Sequence, residues 1–499
     1  MQAKQTTASE VLVEQVDIAI IGTGFAGLGM AVKLKEAGIA NFVILEKAGD
    51  VGGTWRDNHY PGCACDVQSH LYSFSFAQNP NWSRMFSPQP EIWAYLRGVA
   101  DQHGLRPHIR FNNELAEARW DEATSLWQLR SADGRRYAVR VLISGMGGLS
   151  RASFPKDIPG LDGFKGRMFH SQQWEHDFDF AGKRVAVIGT GASAIQFVPQ
   201  LQKKAARVDL YQRTPPWVMP KPDRAISGFE HQLFKALPFT QSLFRAGIYA
   251  MLEARVLGFA VNPKLMKLIE TVARKHINKY IKDPVLRRKL TPDYTIGCKR
   301  VLVSNDYYPA LAQANVDVLT DGIREVRAHS VVDQTGAERE VDAIIFGTGF
   351  AAADPIPTGL IFGKGGTDLL DAWKDGPEAY KGTTVAGFPN LFLIVGPNTG
   401  LGHSSMVYMI ESQVAYVLDA LRQMKARGTR VLEVKPQAQA EFNAALQKKA
   451  VGAIWSVGGC KSWYLHPKTG KNVTLWPGAT WQFRRQLARF DAQAYQIES

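Results

Sequence analysis

Two glycine-rich segments have the spacing of turns that bind the pyrophosphate of a dinucleotide. The first holds Gly22, Gly24 and Gly27, and the second reads Gly189, Thr190, Gly191, Ala192, Ser193 and Ala194. Glycine lets the backbone turn tightly and approach the phosphates, while the start of the following helix supplies amide donors and a positive dipole. The pattern alone is weak, because ordinary glycine turns share it.

Each turn lies between a strand-like run and a helix-like run. A β-branched run at 16–21 precedes the first turn, helix-forming residues follow at 28–37, and a second strand-like run comes at 42–45. The same order recurs between 184 and 212. It predicts two βαβ units. Because each turn is flanked by a strand and a helix, an ordinary glycine turn is the less favoured alternative. The predicted fold class is therefore α/β, with two Rossmann-like dinucleotide-binding domains.

The residue that follows each second strand distinguishes the two nucleotides. Glu46 stands where a carboxylate can accept hydrogen bonds from both hydroxyls of a ribose, and it would repel a 2′-phosphate. The first unit therefore suits the adenosine of FAD or NAD. The second unit ends in Arg213 and Thr214. Because a guanidinium pairs with phosphate through two parallel hydrogen bonds, this unit suits NADPH, and a solvated arginine is the alternative.

Length and composition narrow the class of protein. The 499 residues are too many for one ordinary domain, and 45% hydrophobic with 21% charged residues is typical of a globular chain. Apolar stretches are too short to span a membrane, and the polar segment 1–10 lacks the apolar core of a signal peptide. Four scattered cysteines are too few for a disulfide framework or a four-cysteine zinc site, so we expect a cytoplasmic protein in a reducing environment.

The formal net charge of +13 calls for an acidic partner. Without a nucleic-acid-binding motif, the phosphates of bound cofactors explain this charge better than nucleic acid does. Residues 220–293 contain long basic amphipathic stretches, which predict a helical insertion. Their basic faces are typical of solvated helices, and contact with a membrane surface is the less favoured alternative.

Five ordered motifs span almost the whole chain. Phe164, Gly166, His170 and Trp174 fit the pattern F-x-G-x-x-x-H-x-x-x-W. The other motifs are Gly53-Thr54-Trp55 continuing to Asp66, Gly347-Thr348-Gly349, Cys298-Lys299-Arg300, and Trp463. On these motifs the chain resembles the class B flavoprotein monooxygenases, and within them the type I Baeyer–Villiger monooxygenases. It departs from the family at Glu175, where Pro or Asp is usual.

The resemblance implies an oxygenation cycle. NADPH would reduce FAD, O2 would add to the reduced flavin, and the C4a-peroxyflavin would attack a ketone to give an ester or lactone. The family's active-site arginine corresponds to Arg300, whose permanent charge would keep the peroxide deprotonated. Asp66 would orient Arg300, and a purely structural ion pair is the alternative. A sulfide is a possible second substrate class.

The remaining expected site residues contact the two cofactors. For FAD they are Gly22, Gly24, Gly27, Glu46, Thr54, Trp55, Asp66, Tyr72 and Met406. For NADP they are the turn Gly189–Ala194 with Gln196, Arg213, Thr214, Lys299, Arg300 and Trp463. The resemblance gives His170 a role in coupling domain movement. Core packing is the alternative for Tyr72, Met406 and Trp463.

The motifs divide the chain into five expected parts. The FAD-binding domain comprises 1–147 and 352–499, the NADPH-binding domain comprises 148–219 and 294–351, and the helical insertion comprises 220–293.

Two other functions compete with ketone oxidation. One is a flavin monooxygenase that oxidises nitrogen or sulfur, but its family usually carries tyrosine in place of Trp174. The other is a non-catalytic NADPH sensor, which needs neither a second cofactor nor the pair of Asp66 and Arg300. A redox-active pair of Cys63 and Cys65 is disfavoured, because one intervening residue is not the spacing of disulfide reductases.

Overall fold

The computed structural model describes residues 13–351 and 356–498, so the expectations for 1–10 and for part of the loop after Phe350 lie outside the described residues. Its strands are β1 (Val13–Ile21), β2 (Phe42–Leu45), β3 (Ile109–Arg110), β4 (Leu115–Asp121), β5 (Leu126–Ser131), β6 (Arg136–Ser144), β7 (Arg167–His170), β8 (Arg184–Ile188), β9 (Arg207–Tyr211), β10 (Val218–Met219), β11 (Leu302–Val303), β12 (Val316–Leu319), β13 (Ile323–Arg327), β14 (Ser330–Asp333), β15 (Glu338–Glu340), β16 (Ala343–Phe346), β17 (Ile361–Phe362), β18 (Leu391–Leu393), β19 (Val431–Val434) and β20 (Tyr495–Glu498).

The α-helices follow the strands or form the insertion. They are α1 (Phe25–Glu36), α2 (Thr54–Asp57), α3 (Gln89–Gln102), α4 (Ala194–Gln202), α5 (Gly228–Ala236), α6 (Pro238–Glu253), α7 (Met266–Tyr280), α8 (Pro284–Leu290), α9 (Tyr307–Leu311), α10 (Leu369–Ala372), α11 (Met406–Arg427), α12 (Pro436–Ala450), α13 (Ile454–Val457) and α14 (Thr480–Gln486). The α/β class predicted from the sequence is confirmed.

The first sheet has eight strands in the order β17-β4-β5-β6-β1-β2-β3, with β18 also pairing with β6. Strand β1 runs parallel to β2 and β6, and its last four residues are buried. Strands β4, β5 and β6 pair antiparallel, as the alternation of 114–140 and its Asp133-Gly134 turn predict. This sheet carries the first glycine turn at the carboxyl end of β1, where α/β sheets bind their ligands.

The second sheet has five parallel strands in the order β12-β9-β8-β16-β7. Its edge strand β7 carries the family fingerprint, so His170 lies opposite Phe346 of β16. Strand β16 comes late in the chain and returns beside β8. The strands of each sheet thus come from both sides of the insertion in the sequence.

Helices α5 to α8 form the predicted insertion between the short paired strands β10 and β11. Helix α5 begins with a capping box, in which Ser227 and Glu230 each bond the other's backbone amide. A π-helical turn at Leu257–Val261 and a 3₁₀ turn at Pro263–Leu265 connect α6 to α7. Among the residues described, no helix combines the length and apolar character needed to cross a membrane.

Candidate active site

The first glycine turn connects β1 to α1 and leaves no room for a side chain at Gly27. A Cβ atom on Gly27 would lie 1.9 Å from the carbonyl oxygen of Gly22, and Gly22 itself has a φ of +93°. The amide of Gly22 donates to the carbonyl oxygen of Leu45 at 2.8 Å. The backbone of α1 can therefore approach β1 and β2 closely.

Both glycine turns leave open space where a pyrophosphate would lie. A Cβ on Gly24 would meet only Gly53 Cα at 3.9 Å, and a Cβ on Gly191 would meet only Gly347 O at 3.8 Å. Gly191 and Ala192 are exposed just before α4. Two cradles of this kind at helix N-termini fit the pyrophosphates of two dinucleotides.

Glu46 lies buried at the end of β2 and already accepts four hydrogen bonds. One oxygen accepts from the amide and hydroxyl of Thr23, at 3.0 and 2.6 Å. The other accepts from the Ala48 amide at 2.9 Å and from the Arg56 guanidinium at 3.0 Å. Because a carboxylate has about four acceptor positions, a ribose can bind to Glu46 only if one of these donors moves.

An aromatic cluster lies beside the first turn. Trp55 Nε1 donates to the Tyr72 hydroxyl at 3.1 Å, and Phe25 meets the Tyr72 ring edge-on at 5.2 Å. Helix α11 begins at Met406, and the hydroxyl of Ser405 donates to Leu71 O at 3.2 Å. The structure thus brings together Trp55, Tyr72 and the start of α11, three of the elements expected around the flavin.

The second glycine turn packs against the late motif Gly347-Thr348-Gly349. Gly189 has a φ of +107°, and a Cβ there would lie 2.5 Å from Gly347 O. Thr190 Oγ1 donates to the carbonyl oxygen of Thr214 at 3.3 Å, which fixes the turn beside the end of β9. Ser193 occupies the N-cap of α4 without a side-chain capping bond.

Arg213 and Lys299 lie close enough to repel each other. Burial and the Arg213 cation lower the pKa of Lys299 below its ordinary value. The hydroxyl of Tyr294 donates to Pro215 O at 3.0 Å, which holds the two segments together. Within the described residues neither cation is in an ion pair.

Gln196 makes contacts that the sequence analysis did not foresee. Its Nε2 donates to Ala64 O at 2.9 Å, and its Oε1 accepts from the Tyr60 hydroxyl at 3.0 Å. A Cβ on Gly62 would lie 2.7 Å from Gln196 O. Helix α4 of the second nucleotide unit therefore contacts the loop that leads to Asp66.

Asp66 and Arg300 form an ion pair between segments 234 positions apart. Arg300 Nε and Nη2 lie 3.0 and 2.5 Å from Asp66 Oδ2. Burial alone would raise the pKa of the Asp66 carboxyl, but the guanidinium outweighs it and holds that pKa below the ordinary value. The carboxylate in turn raises the pKa of Arg300. Both groups are therefore charged at neutral pH.

Arg300 is surrounded by protein but is not fully covered. Protein surrounds the pair closely, yet 42% of the Arg300 side chain is accessible. Burial raises the pKa of Tyr464 to about 12, and the nearby Arg300 cation acts in the opposite direction. The sequence analysis named Trp463, which is half exposed, and missed its buried neighbour Tyr464. Only adjacency to Trp463 could have indicated it.

The cysteine expectations need one correction. A disulfide joins Cys298 to Cys460 across 162 positions, which the sequence analysis did not predict, so the cysteines do not support the expected reducing environment. It seats the loop of Trp463 beside the segment of Arg300. Cys63 and Cys65 are free and buried, and burial raises both thiol pKa values, that of Cys63 to about 12. Such thiols are poor nucleophiles, consistent with the sequence argument against a redox pair.

We expect a reductant to lower the melting temperature of the wild-type protein by a few degrees, since a bridge that closes a long loop contributes about 2–4 kcal/mol. Differential scanning fluorimetry with and without reductant would measure the shift. A Cys298→Ser/Cys460→Ser double variant should melt at the same temperature in both conditions. Four alkylatable thiols in the untreated, denatured wild type would refute the bridge.

The fingerprint residues pack against the second nucleotide unit. Trp174 is buried and packs against Phe197 of α4 at 5.3 Å between ring centroids. Phe164 is buried, and a Cβ on Gly166 would lie 2.4 Å from Asp342 O. The unusual Glu175 pairs with Arg167 at 3.3 Å, so its charge is compensated at the surface.

His170 is buried beside the fingerprint strand. Its Nδ1 accepts from the Gln172 amide at 3.1 Å, and a hydrogen bond with the Gly349 backbone also acts on the ring. Burial lowers the pKa of His170, so the ring is neutral at physiological pH. It contacts Phe154 and Phe350 at ring distances of 5.4 and 5.8 Å.

Known proteins share the sequence and the fold. The flavin-binding monooxygenase-like family matches residues 15–358. A Baeyer-Villiger monooxygenase of Pseudomonas aeruginosa is 60% identical over 495 residues, which cover 99% of this chain and 94% of that protein. Cyclohexanone monooxygenase from Rhodococcus sp. Phi1 bound to NADP+ has a TM-score of 0.86 at 28% identity, covering 98% of this chain and 100% of its own.

A solved complex of OTEMO with FAD and NADP also has a TM-score of 0.86 at 28% identity, over 97% of this chain and 100% of its own. These similarities confirm the predicted family, favour it over the nitrogen- or sulfur-oxidising alternative, and contradict a non-catalytic sensor. The cofactors are FAD and NADPH, with O2 as co-substrate. The chain belongs to the flavin-binding monooxygenase-like family, among its Baeyer–Villiger monooxygenases.

Proposed function

We propose that this enzyme inserts one oxygen atom of O2 beside a ketone carbonyl, close to Arg300. The observation that supports this most is the pair of Asp66 and Arg300, which joins a loop of the FAD side to the segment that carries Lys299. In this proposal the pair would hold a permanent cation near both cofactors, where an oxygen-transfer reaction needs one.

FAD would occupy the first cradle. Gly22, Gly24 and Gly27 would admit its pyrophosphate, and Glu46 would accept a ribose hydroxyl after displacing one of its present donors. Thr54, Trp55, Tyr72 and Met406 would border the ring system. When bound, FAD accepts hydride from NADPH and activates O2.

NADPH would occupy the second cradle. The turn Gly189–Ala194 would contact the pyrophosphate, and Arg213 with Lys299 would bind the 2′-phosphate, with Thr214 beside them. Gln196 would position α4 against the loop before Asp66 rather than bind the nucleotide alone. Trp463 would cover the nicotinamide end, and the disulfide would hold its loop in reach.

Arg300 would stabilise the negative charge that develops on the reacting oxygen atoms. Its guanidinium does not titrate in the working range, and Asp66 fixes its direction through two hydrogen bonds to one oxygen. A preorganised donor of this kind costs no reorganisation during the reaction. His170, buried and neutral, would couple β7 to movement of the neighbouring Phe350 segment rather than exchange protons.

Arg213→Ala is expected to raise KM for NADPH by roughly 10- to 150-fold, the loss of one charge-assisted phosphate contact. KM for NADH should hardly change, because NADH has no 2′-phosphate. Steady-state kinetics with both nucleotides measure the difference. Arg324→Ala, an exposed arginine of the same domain, is the control. Equal losses for NADPH and NADH would rule out the assignment.

A panel of cyclic, aryl and linear aliphatic ketones would test the reaction, with one sulfide added. The expected result is NADPH consumption matched by ester or lactone for at least one ketone class, detected by gas chromatography. Sulfoxide without any ester would instead support the heteroatom-oxidising function.

We also propose a cytoplasmic location, supported by the requirement for NADPH. Fractionation of cells would test it.

A further inference from the structure

The helical insertion exposes an unusual share of large apolar side chains. Among the residues described, nineteen large hydrophobic side chains are exposed, and eleven of them lie in the insertion. These eleven are Phe229, Leu237, Phe239, Leu243, Met251, Leu257, Val261, Leu265, Leu268, Val272 and Val285. Large apolar groups concentrated on one surface mark a site of interaction.

Helix α6 directs its charged residues inward. Arg245 donates to the carbonyl oxygens of His70 and Ser73 at 2.7 and 2.8 Å, and Glu253 accepts from the Thr480 amide and hydroxyl, both at 2.6 Å. These polar contacts, together with the buried Ile248 and Leu252, fix which face of α6 is turned toward the protein.

The opposite face of α6 is apolar and exposed. This outer stripe consists of Phe239, Leu243, Ala246, Gly247, Ala250 and Ala254, at helical spacing. Of the exposed residues from Leu237 to Ala254, only Ser242 has a polar side chain. A helix that faces water normally carries polar residues on that side, so α6 is built for a partner other than water.

The stripe continues into an apolar tip surrounded by lysines. The tip consists of Leu257, Val261 and Leu265 on the turns between α6 and α7, and of Leu268 in the first turn of α7. Lys264, Lys267 and Lys275 are exposed nearby, and within 13–351 and 356–498 they form no ion pair. From Gly228 to Leu290 twelve lysines and arginines face four acidic residues, so this segment carries eight of the thirteen net positive charges.

The net positive charge of the insertion distinguishes between possible partners. A second copy of the chain would meet this surface with the same excess of positive charge, and the two faces would repel. A membrane that contains anionic lipids satisfies both features, because apolar side chains enter the boundary of the headgroups while lysines meet phosphate groups. We propose that the outer stripe and the apolar tip bind the enzyme peripherally to an anionic membrane surface.

The inner side of the same segment lies against the active site. A Cβ on Gly297 or Gly402 would contact Phe259 at 3.2 or 3.3 Å, and Glu253 lies 3.7 Å from His403 Nε2. Gly297 precedes Arg300 and Gly402 precedes Met406 by a few residues. If the proposed function holds, apolar ketones dissolved in the bilayer would therefore enter close to the reacting centre.

Co-sedimentation of the FAD-loaded enzyme with vesicles tests the proposal without measuring catalysis. We expect binding to vesicles of phosphatidylcholine with phosphatidylglycerol, weak binding to phosphatidylcholine alone, and loss of binding at high salt. Leu243→Ser/Leu268→Ser should weaken binding by roughly tenfold or more. The control Val451→Ser/Val457→Ser removes apolar groups exposed elsewhere and should bind normally.

Lys264→Glu/Lys267→Glu should also weaken binding to the anionic vesicles, while activity on a water-soluble ketone stays unchanged in every variant. Thermal melting would verify that the variants fold. Absence of vesicle binding by the wild type, or equal binding by the Leu243→Ser/Leu268→Ser variant, would overturn the proposal. A wild-type dimer that this variant converts to monomers, without vesicle binding, would identify a second copy as the partner instead.

Discussion

Arg300→Ala is expected to abolish measurable ester formation while NADPH oxidation continues. Hydride transfer requires the nicotinamide to lie against the flavin, which the second cradle can arrange without a guanidinium. Oxygen transfer, unlike hydride transfer, also builds negative charge on the reacting oxygen atoms beside Arg300. Loss of one preorganised donor at such a site costs on the order of 10²–10³ in rate. Consumed O2 should therefore appear as hydrogen peroxide, which a peroxidase-coupled assay detects.

A conservative variant of Arg300 and a variant of its partner Asp66 sharpen this test. Arg300→Lys keeps the charge but loses the planar donor pair that Asp66 orients, so only part of the ester yield should return. Asp66→Asn should lower the yield with Arg300 still present, because the guanidinium loses its charged partner. Near-normal ester yield from Arg300→Ala would leave the ion pair a purely structural role.

Glu46→Arg is expected to yield protein with little bound FAD. The change removes the acceptor of Thr23, Ala48 and Arg56 and places a second buried cation beside Arg56. Loss of the charge-assisted hydrogen bond to the ribose costs about 1.5–3 kcal/mol of binding free energy, which corresponds to a roughly 10- to 150-fold loss of FAD affinity. The ratio of flavin absorbance to protein after purification measures the effect.

Two variants separate the role of Glu46 from general damage. Glu46→Gln keeps the shape and one acceptor oxygen, so FAD content should be intermediate. Glu36→Arg makes the same charge reversal at an exposed position at the end of α1 and should leave FAD content normal. Circular dichroism would verify folding. A Glu46→Arg protein with full FAD content would refute the assigned position of the flavin.

Local sequence patterns predicted the elements that carry the cofactor cradles. Strand β2 has the predicted bounds and β8 begins at the predicted residue 184, because short β-branched runs between glycine turns leave few alternatives. The ion pair of Asp66 with Arg300 also forms as expected. That expectation depended on the family resemblance, since no periodicity in the sequence connects residues 234 positions apart.

Contacts between distant segments could not be predicted from the sequence. The bridge between Cys298 and Cys460, the burial of Tyr464 near Arg300, and the bonds of Gln196 to Ala64 depend on how the two nucleotide units pack. The helical character of the insertion was predicted, without the bounds of its four helices. Periodicity revealed that α6 has an apolar side, but only the folded chain shows that this side faces outward.

The most direct test of the central claim is product analysis after turnover under isotopically labelled O2. Purified enzyme, NADPH and a ketone that supports coupled turnover would be incubated, and the ester examined by mass spectrometry. Insertion beside the carbonyl predicts one labelled oxygen atom per ester, located in the ester bridge rather than in the carbonyl. An ester without label, or NADPH oxidation that gives only hydrogen peroxide with every ketone class, would contradict the account.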